Sequence, residues 1–113
     1  MAEDLTQKTC EPCEKGTPPL KQEEIDALLP SLHEDWHVID LHHLERAFHF
    51  SNFKQALDFT IQVGQIAEQE GHHPDIVLSW GKVQVTLWTH KIKGLSSNDF
   101  ILAAKIDMLL TAS

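Results

Sequence analysis

From Asn52 onward, apolar residues recur at the three- and four-residue spacing of a helix. Phe53, Ala56, Leu57, Val63 and Ala67 form the stripe, and Phe59 and Ile66 widen it. Asn52 suits an N-cap, the pattern runs to about Glu70, Gly71 supplies a C′ stop, and Pro74 bars resumption. The period then changes to two. Between Ile76 and Thr89, Val83, Val85 and Leu87 fall on one face of a strand, with Gln84, Thr86 and Trp88 on the other. Gly81-Lys82 reads as a two-residue type II′ hairpin loop, which makes Trp80 face Val83 and His73 face His90. Directly opposed side chains have Cβ atoms roughly 4.5 to 5.5 Å apart, close enough for two imidazoles to serve one small ligand. A one-residue slip would turn His90 to the opposite face.

The flanking segments complete the pattern. Lys21 to Leu29 is a short helix with Ile25, Leu28 and Leu29 on one side, closed by Pro30. Trp36 to Leu41 and Leu44 to Phe50 form a hairpin turning near His42-His43, with Leu44, Phe48 and Phe50 on a shared face. Gly94-Leu95-Ser96 leads into a final helix marked by Phe100, Ala103, Ala104, Asp107 and Leu110. The predicted fold class is α+β: a four-stranded antiparallel sheet with helices packed on one face. Residues 1–20, ending in Gly16-Thr17-Pro18-Pro19, carry no period and read as an extended N-terminal arm; 21–113 form the domain. The other sheet face, with Trp88 and Thr86, is not fully polar, so a homodimer or homotetramer is expected.

Composition narrows the function classes. A chain of 113 residues supports one core, and no second domain is available to build a cleft. The formal charge of -8, with nine Lys and Arg spread thinly, argues against a nucleic-acid partner. No apolar run approaches the ~20 residues of a membrane span. The acidic start, Met1-Ala2-Glu3-Asp4-Leu5, has no apolar signal region, so a cytoplasmic location is expected. Of eight histidines, His33, His37, His42, His43 and His49 read as mostly surface residues.

The remaining three carry the chemistry. His72 and His73 follow a helix C-terminus, whose free carbonyls favour a cation, with Glu68 one turn earlier and Asp75 just after. Imidazoles take or give protons near neutrality, so His72, His73 and His90 can divide acid and base roles. They could also bind zinc with an open position, although adjacent histidines in an extended segment point to opposite faces. Asp99, three residues after Ser96, fits a capping role. Cys10-x-x-Cys13 suits half a zinc site or a redox pair, but a second pair is missing. Two rival readings follow, a non-catalytic interaction or regulatory module and a zinc protein using Cys10, Cys13 and histidines.

Several spaced motifs resemble the pterin-4a-carbinolamine dehydratases. These are Ala67-Glu68-x-x-x-His72-His73-Pro74-Asp75, Gly81-Lys82-Val83-x-Val85-x-Leu87, Thr89-His90, Gly94-Leu95-Ser96-x-x-Asp99, Trp36 and Phe48-x-Phe50-x-x-Phe53. The likeness runs from Lys21 to about Leu110. It implies dehydration of a 4a-hydroxytetrahydropterin to quinonoid dihydropterin, recycling the cofactor of aromatic amino-acid hydroxylases, with such a hydroxylase as a partner and no cofactor or metal. It also implies acid/base work for His72 and His90, pterin binding by His73, and substrate contacts or support from Glu68, Pro74, Asp75, Thr89 and Asp99. Ile76 stands where some members have an aromatic residue, and Asp75 where others have Glu.

Overall fold

The computed structural model describes residues 5–10 and 16–111. Three α-helices and four strands alternate as α1 (Gln22–Leu28), β1 (His37–Ile39), β2 (His43–His49), α2 (Phe53–Glu70), β3 (Asp75–Ser79), β4 (Lys82–Leu87) and α3 (Ser97–Thr111). All strand pairs are antiparallel, in the order β1-β2-β4-β3. Leu44 and Phe48 of β2 and Val83, Val85 and Leu87 of β4 point inward, where they meet Ala56, Phe59 and Val63 of α2 and Phe100, Leu102, Ala103 and Ile106 of α3. The α+β architecture is therefore the expected one. No helix among the described residues is long and apolar enough to cross a membrane.

Helix α2 has the boundaries that its caps demand. The Asn52 side chain accepts from the Gln55 amide, and Gly71 closes the helix at φ 66°, a left-handed conformation that glycine adopts without strain. Of the expected apolar stripe, Ala56, Val63 and Ala67 are buried together with Phe59, whereas Phe53 and Leu57, with Ile61 one turn further on, remain exposed.

Both hairpins turn earlier than expected. The β3–β4 loop is Trp80-Gly81, not Gly81-Lys82, because Ser79 pairs with Lys82 and Leu78 with Val83. Gly81 serves close approach rather than a positive φ. Its carbonyl accepts from the Phe50 amide at 2.8 Å, and an added Cβ would lie 2.9 Å from the Phe50 oxygen. Extending this ladder sets His73 level with Trp88, so the predicted His73–His90 pairing does not form. The first hairpin turns over Asp40, Leu41 and His42, the first two near φ 55°, so that His43 already belongs to β2, and its first strand is only His37–Ile39. His42 and His43 are consequently half-buried, whereas His33, His37 and His49 are exposed as expected.

One inward position is charged. Arg46, buried between Leu44 and Phe48 on β2, donates to Asp107 of α3 at 2.7 Å. Asp107 also accepts from the Trp36 indole and the His33 amide, so the far end of α3 is bound to the sheet and to the segment leading into β1. Alternation along β2 identifies the face of Arg46 but not its partner, 61 residues away.

Candidate active site

The C-terminal end of α2 delivers two histidines in succession. Once Gly71 turns the chain, the His72 amide returns to the Ala67 carbonyl, and His72 and His73 leave the helix axis beside each other. Each is held by a carboxylate. His73 donates Nε2–H to Glu68 at 2.6 Å, in an open setting with 61% and 80% of the two side chains exposed. His72 donates Nε2–H to Asp99 Oδ1, also at 2.6 Å, but here the imidazole is only 13% exposed and the carboxylate not at all.

Asp99 connects three segments. Its Oδ2 accepts from the Ser96 amide, the capping contact expected from their spacing, and from the Thr89 hydroxyl, both at 2.9 Å. With the Thr89 proton thus committed, the Ser96 hydroxyl is the donor in the 2.7 Å contact between Ser96 and Thr89. The carboxylate's acceptor sites are turned inward, so Asp99 orients His72 and Thr89 and does not line the open site. Its bond to His72 fixes the Nε2–H tautomer and leaves Nδ1 as the ring's remaining proton-transfer atom.

The exit from β4 carries the third histidine. Thr89 and Gly94 exchange backbone hydrogen bonds, closing a loop around the short turn His90–Ile92. His90 is exposed, and its ring stacks on Trp88. His72, His73, Pro74, Asp75, Thr89 and His90 together line one cleft of ≈ 670 Å³, within the range of small-molecule sites. The shared cleft does not depend on that pairing, since His72 and His73 lie between the Gly71 turn and the start of β3, and His90 lies beyond β4 on the turn that the Thr89–Gly94 bridge closes. Glu68 reaches the cleft only through His73.

Sequence reasoning overlooked several lining residues: Trp88, Lys91, Asn98, Glu70 and, from the arm, Cys10. The Cys10 amide donates to Glu70 at 2.9 Å, and Lys105 of α3 donates to the same carboxylate. These donors, the Cys10 amide foremost, hold the Glu70 carboxyl below the usual carboxylate range, while burial works against them. The arm thus reaches the cleft wall at Cys10, and Leu5 is buried in the core. Cys13 lies outside the described residues. Among those residues, no three His, Cys, Asp or Glu side chains converge to hold a metal ion.

A single α+β domain thus gathers three imidazoles in one cleft. The profile of the pterin 4 alpha carbinolamine dehydratases matches residues 18–109. A relative from Alkaliphilus metalliredigens bearing the pterin-4-alpha-carbinolamine dehydratase name is 60% identical over 92% of this chain and 94% of its own. Another so named, from Rubrobacter xylanophilus, is 51% identical over 94% and 98%. The crystal structure of a transcriptional coactivator/pterin dehydratase from Brucella melitensis superposes with a TM-score of 0.75 at 30% identity, covering 80% of this chain and 97% of that one. The chain belongs to the pterin 4 alpha carbinolamine dehydratase family.

Proposed function

We propose that the protein dehydrates a 4a-hydroxytetrahydropterin to the quinonoid dihydropterin by histidine acid/base catalysis. The observation that carries this reading is the convergence of His72, His73 and His90 on one cleft, with His72 held by a buried carboxylate. Hydroxide is a poor leaving group. An acid must protonate the C4a hydroxyl while a base takes the N5 proton; the N5 electrons form the C4a=N5 bond as the C4a–O bond breaks and water departs. His72, with Nε2–H committed to Asp99, offers the Nδ1 lone pair and acts as the base. His90, on the opposite wall-forming segment, is the acid. His73, Pro74 and Asp75 bind and orient the flat ring, with Glu68 steadying His73 and Thr89 forming cleft wall.

The reaction returns the oxidised pterin to a form that can be reduced again, so the protein would serve an aromatic amino-acid hydroxylase. It would do so as a homodimer or homotetramer, a reading supported by the exposed Phe53, Leu57 and Ile61 stripe. The direct assay is turnover of synthetic 4a-hydroxytetrahydropterin by the native chain, His72→Ala and His90→Ala. Each substitution is expected to reduce kcat by about 10² to 10⁴. Rates equal to that of the native chain would remove the proposal.

A further inference from the structure

The cleft histidines are held by two different devices. His72 and His73 each lean on a carboxylate, Asp99 and Glu68. For His90, no hydrogen bond to the imidazole is found among the described residues. Its ring lies instead against the Trp88 indole, with centroids 3.8 Å apart and planes inclined by 21°. The indole is itself braced. His42, brought in by the tight turn at Asp40-Leu41, meets it at 4.5 Å, and His42 Nδ1 lies 3.1 Å from His43 Nδ1. Trp88 also follows the last residue of β4 directly, so its backbone is fixed by the sheet on one side and by the Thr89–Gly94 bridge on the other.

We propose that Trp88 is the positioning residue for His90, an inference that rests on the dehydratase reading above. His90 is exposed and sits on a single 3-10 turn, where an unsupported imidazole would sample several rotamers. A proton donor must come within hydrogen-bonding reach of the leaving oxygen, and a displacement of about 1 Å is enough to cost on the order of a hundredfold in rate. A flat aromatic surface restricts the ring to one plane while leaving both nitrogens free. A carboxylate partner, as used for His72, would occupy one of them. Trp88 lies one residue past the end of β4 at Leu87, and its side chain forms part of the cleft wall.

The alternative duty for a cleft-lining indole is to stack on the pterin itself, and steady-state kinetics separate the two. Trp88→Leu is expected to lower kcat by on the order of tenfold to a hundredfold, with KM changed by less than about twofold. Trp88→Phe, which retains a flat ring, should recover most of that loss. Independently of turnover, His90→Ala should brighten the component of tryptophan emission that Trp88→Phe removes, because a stacked imidazole quenches an indole. An unchanged kcat in Trp88→Leu, or a rise in KM alone, overturns the proposal, as does emission indifferent to His90→Ala. Full activity in His90→Ala would remove the chemical role of His90, and this proposal with it. The emission change would then persist, which tells that failure from a failed stack.

Discussion

At the scale of single residues, Asp99 carries the most consequence. Its oxygens accept from the Ser96 amide, the Thr89 hydroxyl and the His72 imidazole, and it has no exposed surface. Asp99→Asn preserves the shape but turns one acceptor into a donor, leaving either Thr89 and Ser96 or His72 without its partner. The expected result is a fall in kcat of about 10² or more, since the wrong imidazole tautomer is then favoured, together with a stability loss of about 1–3 kcal/mol. Turnover and a urea midpoint check the two parts. Residue type singled out His72, His73 and His90, which line one cleft although the pairing argued from their spacing does not form, and the contact of Asp99 with Ser96 three residues away was legible too. Its bond to His72 spans 27 residues and depends on how α2 and α3 pack, which no local pattern encodes. The cleft role of Trp88 was missed because its place in the alternation, between buried Leu87 and Thr89, was read only as outer sheet surface.

At the scale of elements, α2 could be read closely because both of its ends are marked by residues with local physical duties, Asn52 and Gly71. The hairpins could not, since a glycine chosen for close approach looks the same in sequence as one chosen for its φ. Gly81 meets Phe50, a residue from another hairpin. The arm offers a testable case at this scale. One of its links to the domain, the Cys10 amide on Glu70, is a bond to a carboxyl whose titration is displaced downward from 4.5. A lowered folded-state value means that the link stabilises fully above the ordinary carboxylate range and is lost as pH falls through the lower one. The Cys10 amide chemical shift, followed by NMR, should therefore titrate with a midpoint below 4.5. In Glu70→Gln that transition should be absent.

At the scale of the whole molecule, one core between sheet and helices positions everything else, with Arg46 and Asp107 joining the end remote from the cleft. Fold class was legible because period-two and helical segments follow one another without ambiguity. The outer surfaces were less so: Val77 is exposed on the sheet face shared with Gln84, as that face's partly apolar pattern suggested, but exposed apolar residues also lie along α2 and at Leu41, Trp80, Met108 and Leu110. If the α2 stripe is covered by a second copy, sedimentation at micromolar concentration should give a multiple of the chain mass, and Ile61→Lys should shift it toward monomer. A monomeric native chain would remove the oligomer reading. The buried carboxylate at position 99 has a consequence for the life of the protein as well. Because the same oxygens hold the start of the last helix and orient the His72 ring, heat that frays that helix also releases the ring, and under the proposed mechanism a partly melted but still active form would have no means of persisting.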